Sequence, residues 1–136
     1  MKGYLLDTNV ISELLRKRPS EMVLQRLRTV PREELYSSAV SIMELRFGAA
    51  RHPRGRRLWE RMQDEVLSRL SILPVGVEEA TKAGEVLAEL EAAGTPIGVE
   101  DVLIGSTALV RELKVATRNT KHLSRIRGLR VENWWR

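Results

Sequence analysis

Short apolar runs alternate along this chain with longer stretches in which apolar residues return every three or four positions. That is the pattern of strands separated by amphipathic helices. Residues 3–6 predict a first strand, and residues 9–16 a short helix whose stripe is Val10, Ile11, Leu14 and Leu15. Pro19-Ser20 ends that unit and opens a second helix over 21–28, followed by a strand over 34–38. A helix is expected from Ser41 to about 50, broken by Arg51-His52-Pro53-Arg54-Gly55, and a long amphipathic helix over 56–70. Residues 71–74 predict a third strand, and 77–93 a helix closed by Gly94-Thr95-Pro96. A helix over 101–112 carries Gly105, Ser106 and Ala108, small residues that suit close approach to a sheet. Residues 115–117 predict a fourth strand and 129–132 a fifth.

Strands that alternate with helices need crossover connections, so the expected fold class is α/β, three layers around a mostly parallel twisted sheet of four or five strands. With 136 residues, no repeat and no linker, one domain over 1–136 is expected. In such sheets ligands bind beyond the carboxyl ends of the strands. There the pattern places Asp7 after the first strand, Glu44 shortly after the second and Asn119 after the fourth, while Asp101 opens the helix leading into the fourth.

Composition narrows the chemistry. The absence of cysteine excludes disulfides and thiolate metal sites, and with only two histidines a zinc site is not expected. No apolar run approaches the ~20 residues of a membrane span, and there is no secretory signal, so a cytoplasmic protein is expected. The net charge of +5, carried mostly by arginine, favours polyanionic partners.

Each acid has a modest local explanation. Asp7 can cap a helix. Ser41-Ile42-Met43-Glu44 has the form of a capping box, and Asp101 suits a first helical turn. Jointly they ask for more. Asp7 is set among Leu5, Leu6, Val10 and Ile11; Glu44 shares a helix face with Phe47 and Gly48, which suggests that it points inward; Asp101 aligns with Gly105 and Ala108. Two carboxylates about 4 Å apart repel by roughly 4 kcal/mol at an effective dielectric near 20. Either one stays protonated or a hard divalent cation, magnesium or manganese, neutralises them.

Three segments then carry a resemblance: Leu5-Leu6-Asp7-Thr8-Asn9-Val10-Ile11-Ser12-Glu13, residues 37–48 around Ser41-Ile42-Met43-Glu44-Leu45, and residues 101–109 beginning Asp101-Val102-Leu103. With Thr117-Arg118-Asn119 and the ending Gly128-Leu129-Arg130-Val131-Glu132-Asn133-Trp134, the chain resembles the PIN-domain ribonucleases, above all VapC-type toxins of toxin–antitoxin pairs. The resemblance implies an Mg2+- or Mn2+-dependent endoribonuclease. Asp7, Glu44 and Asp101 match its metal-binding and catalytic acids, and Asn119 a fourth position that is aspartate in some relatives. Asparagine adds no charge there. It also implies an RNA substrate, a VapB-like antitoxin and a homodimer, with the helices near 10–15 and 56–70 as candidate partner faces. His122 stands near a position where relatives carry an acid, and it reads here as a surface residue.

Thr8, Asn9, Thr117 and Arg118 are candidates for orienting the acids or touching substrate. Glu100 is expected to be solvated. Basic clusters at Arg51, Arg54, Arg56, Arg57 and Arg61, and at Arg118, Lys121, Arg125, Arg127 and Arg130, could track a phosphate backbone. Trp59, Trp134 and Trp135 read as packing or interface residues rather than stacking platforms. Two other functions compete. An aspartyl-phosphate phosphatase would need a second acid where Asn9 stands, and a catalytically silent PIN scaffold that binds RNA or protein would not need the three acids together.

Overall fold

A computed structural model describes residues 2–136. Five strands form one sheet in the order β3-β2-β1-β4-β5, every neighbouring pair parallel. They are β1 (Tyr4–Leu6), β2 (Leu35–Ser38), β3 (Ser71–Leu73), β4 (Lys114–Ala116) and β5 (Val131–Glu132). Between β1 and β2 lie α1 (Thr8–Leu14) and α2 (Glu21–Thr29); α3 (Ala39–Ala50) and α4 (Gly55–Glu65) lead to β3. Helices α5 (Val77–Ala92) and α6 (Val99–Val110) lead to β4, and the short α7 (Thr120–Leu123) to β5.

Successive strand residues point to opposite faces, and both faces are covered here. Leu5 and Val115 face one core with Val86, Leu90, Val102, Ile104 and Leu123 from α5, α6 and α7. Leu6 and Ala116 face the other with Val10, Ile11, Val23, Met62 and Trp134. The apolar run ending at Asp7 is therefore a two-sided core strand. Because β2 and β4 flank β1 on opposite sides, the chain's direction of travel reverses between β1 and β4. A crevice opens at such a switch point.

Several boundaries differ from the sequence pattern. Helix α1 starts at Thr8 because Asp7 caps it, and α3 starts at Ala39 because the Ser38 hydroxyl accepts from the Ser41 amide at 3.2 Å. The expected capping box between Ser41 and Glu44 is thus absent, and Ser38 does the capping. The helix expected over 56–70 ends at Glu65 and gives way to a 3-10 turn at Leu67–Arg69. Helix α6 begins at Val99, which puts Asp101 inside the first turn rather than at its start. The close approach of α6 at Gly105 is to the segment after α7, not to the sheet. A Cβ there would lie 2.4 Å from Ile126 Cδ1 and 3.2 Å from Leu129 Cδ2. Among the described residues no helix is long and apolar enough to cross a membrane.

Candidate active site

The sheet register builds the floor of the site. The Asp7 amide continues the β1–β4 ladder by donating to the Ala116 carbonyl at 2.9 Å, which brings the ends of β1 and β4 together. Asp7 Oδ2 accepts from the Thr117 hydroxyl at 2.8 Å and from Asn9 Nδ2 at 3.1 Å, while Oδ1 accepts from the Thr8 amide at 2.8 Å. Thr117 Oγ1 also accepts from the Asn119 amide at 2.9 Å, and Asn9 Oδ1 from the Arg118 amide at 3.1 Å. Thr117 and Asn9 thus lock the β4 exit onto Asp7.

Glu44 comes from α3. Thr8 Oγ1 lies 2.7 Å from Glu44 Oε1 and 2.9 Å from Ser41 Oγ. A hydroxyl has one proton, so Thr8 donates to the carboxylate, the charged and closer acceptor, and accepts from Ser41. The inward aim of Glu44 does not come from a shared buried face with Phe47, which is 60% exposed. It comes from this hydroxyl grip. Asp101, on α6, faces His122 Nδ1 at 3.7 Å, and that nitrogen also lies 3.1 Å from Asn119 Nδ2. His122 keeps 45% of its side chain exposed, as expected of a surface residue, yet its ring reaches Asp101 and Asn119 at the rim of the site. It arrives there because the short helix α7, which has no clear sequence signal, turns it back towards α6.

One cavity of about 450 Å³ collects Asp7, Thr8, Asn9, Glu44, Asp101, Arg118 and Asn119, with Thr117 beneath it. It also collects Ser12, Glu13, Arg16 and Trp135, which the sequence reading missed. Asn9, Ser12 and Glu13, with Arg16 just beyond the end of α1, are spaced i, i+3, i+4, i+7, a polar face opposite the helix's apolar stripe. That spacing was the available signal. Trp135 had none.

The electrostatics follow from burial. Asp7 is held above the ordinary carboxylate range chiefly by desolvation; Asp101 and Glu44 push the same way, against the Thr117 and Thr8 hydrogen bonds. Asp101 is also raised, again mainly by burial, with Glu100 adding to the shift and His122 opposing it. Glu13 behaves oppositely. Burial would raise it, but the Ser20 amide at 2.8 Å, Arg16 at 3.4 Å and the Trp135 side chain together hold it below the usual range.

The donor set fits a hard cation: carboxylate oxygens and one amide, no thiolate. Among the described residues, however, no three His, Cys, Asp or Glu side chains close into a group that would enclose a metal ion unaided. The expected cage of three acids is therefore an open arrangement.

Comparison with known proteins agrees with this geometry. The PIN domain family matches residues 4–129. The chain is 37% identical to VapC ribonuclease Y4jK of Sinorhizobium fredii over 96% of each chain. It is 32% identical to the tRNA(fMet)-specific endonuclease VapC of Shigella flexneri, covering 98% of this chain and 99% of that one. The DNA-bound VapBC structure from Salmonella typhimurium superposes with a TM-score of 0.88 at 32% identity, over 98% of this chain and 99% of its counterpart. By matched length, identity and the parallel five-stranded sheet alike, this chain belongs to the PIN domain family, among the VapC ribonucleases.

Proposed function

We propose that the chain is an endoribonuclease toxin that hydrolyses RNA phosphodiester bonds with Mg2+ or Mn2+, paired in the cytoplasm with a VapB-like antitoxin and assembling as a homodimer. The names of its relatives support the ribonuclease and its pairing. The observation that carries the metal is Asp7. It is 5% exposed, sits in the field of two further carboxylates, and forms no ion pair with a cationic side chain among the described residues. A buried carboxylate in that setting either takes up a proton or holds a cation.

The bound cation would neutralise charge on the scissile phosphate and make water a better nucleophile at neutral pH. Asp7 and Asp101 are assigned to hold it, with Glu44 the third acid. The hydrogen bond from Thr8 aims Glu44 at the cavity and leaves its other oxygen free to accept a proton from the attacking water. Asn119 is oriented by His122, so that its carbonyl oxygen can accept from that water or serve as a neutral ligand. Asn9 and Thr117 fix the Asp7 carboxylate, and the Arg118 amide fixes Asn9.

The test is cleavage of single-stranded RNA by purified protein, with and without Mg2+ or Mn2+, for the wild type and Asp7→Asn. Metal-dependent cleavage that is lost in a folded Asp7→Asn variant supports the reading. Cleavage persisting in excess chelator overturns the metal. One observation favours a second reading, a silent PIN scaffold: the acids do not close into a ready cage. Binding of RNA or antitoxin without cleavage under any divalent metal would establish it.

A further inference from the structure

The last two tryptophans are neighbours in sequence with opposite fates. Trp134 is fully buried and meets the Tyr4 ring edge-on, with centroids 5.2 Å apart. Trp135 is only partly buried and lines the same cavity as Asp7, Glu44 and Asp101. Its placement is tightly determined. The Trp135 amide donates to Asn133 Oδ1 at 2.8 Å, and its side chain lies beside Glu13 and helps to hold that carboxyl below the usual range. Glu13 is itself held by the Ser20 amide and Arg16. A side chain that served packing alone would not need to be held beside a carboxylate at the rim of a cavity.

The Arg118 guanidinium lies over the Trp135 ring, 5.2 Å from its centroid. Arg118 forms no ion pair among the described residues, and its backbone is tied to Asn9. The cavity lining therefore combines Asp7, Glu13, Glu44, Asp101 and Asn119 with Arg16, Arg118 and Trp135. A phosphodiester approaching the acids is repelled unless positive charge accompanies it, and Arg118 supplies that charge, Arg16 being paired with Glu13 at 3.4 Å. A flat aromatic with a stacked guanidinium beside the acids matches how proteins hold unpaired bases. At about 450 Å³ the cavity has the scale of a single small ligand.

Resting on the endoribonuclease reading, we infer that Trp135 with Arg118 stacked on it is the base-binding wall of the site. It holds the unpaired nucleobase next to the scissile phosphate, while Arg118 receives the adjoining phosphate. The acids determine that the chain is cut, and this wall determines that the RNA must present an unstacked base there.

The experiment is steady-state cleavage of a short single-stranded RNA with one cut site by the full chain in Mn2+. Trp135→Leu is expected to raise KM roughly 10- to 100-fold, with a smaller effect on kcat, and Trp135→Phe to recover most of the loss. An oligonucleotide abasic beside the cut site should weaken wild-type binding to a similar degree, and Trp135→Leu should add little to that loss. Quenching of indole emission in Asp101→Asn protein by the intact oligonucleotide, and not by the abasic one, reads the same stack without altering Trp135. Unchanged KM in a folded Trp135→Leu variant, or equal quenching by both oligonucleotides, overturns the inference while leaving the nuclease intact. A wild-type protein that cuts no RNA overturns both.

Discussion

Asp7 and Asp101 face one cavity from different supports. Asp7 ends a core strand, is 5% exposed and accepts hydrogen bonds from Thr8, Asn9 and Thr117. Asp101 sits in the first turn of α6, keeps 22% of its side chain exposed and faces His122 at 3.7 Å. Burial raises the pKa of both. Asp7 cannot move without disturbing the β1–β4 ladder. Asp101 rides on a helix whose position depends on packing at Gly105. A strand end thus gives a carboxylate gripped by three hydrogen bonds, and a helix turn one placed by the packing of its helix.

The largest expected effect is at Asp7. Asp7→Asn should lower kcat by about 100- to 1,000-fold or more, the scale of removing one preorganised electrostatic group. The metal-free variant should keep its unfolding midpoint near that of the wild type, because the lost hydrogen-bond acceptor is offset by removing a desolvated charge. Divalent metal should raise the midpoint of the wild type and not of this variant. If Asp7→Asn melts far below the wild type, Asp7 is a structural cap, and the contrast with Asp101 fails.

Next comes the latch that distinguishes the two acids. Thr117→Val removes the hydroxyl bridging Asp7 and the Asn119 amide, and should reduce metal-dependent cleavage about 10- to 100-fold, with Thr117→Ser near wild type. Equal activities of Val and Ser variants would show that Asp7 needs no such support.

Asp101 is tested through its helix. Gly105→Ala places a methyl 2.4 Å from Ile126 Cδ1 and should cost about 1–3 kcal/mol in denaturant unfolding. In the folded fraction, NMR should show Asp101 and His122 shifting while Asp7 stays in place. Movement of both acids together would mean that the site is one rigid body.

The smallest effect is on pH dependence. Both aspartates titrate above 3.8 in the metal-free fold, so folding favours their protonated forms. Their contribution to stability is fully present below pH 3.8 and is lost as pH rises through the folded values. Glu13 acts oppositely, adding stability above its unfolded value that is lost as pH falls through the depressed folded one. Titration of the carboxyl carbons should place Asp7 above 3.8 without metal, and saturating Mg2+ should pull it down. A shift confined to Asp101 would mean that Asp7 is solvated.

Much of this was legible in the chain because strand and helix periods are local properties. The alternation of runs led to a parallel sheet, and even the two-residue strand β5 had its signal. The helix starts were less legible, because Ser38 and Ser41 compete to cap α3 and only the packed geometry selects Ser38. Glu44 was assigned an inward aim from a face it shares with Phe47, whereas a hydroxyl on another helix aims it. His122 and Trp135 approach the acids only through α7 and the tail after β5, contacts across the fold that no periodicity records.

The sequence by itself determined which residues could carry the chemistry: oxygen donors at the ends of apolar runs, arginine in excess, no thiolate ligand. Tertiary structure decided which of them meet. The reversal of direction between β1 and β4 brings Asp7 and Thr117, 110 positions apart, within 2.8 Å. Packing at Gly105 sets how Asp101 approaches, and the fold of the tail sends Trp134 to the core and Trp135 to the cavity. The reason is physical. Residue type fixes what a group can bind, but long-range pairing of strands and helices fixes the distances over which electrostatic forces act.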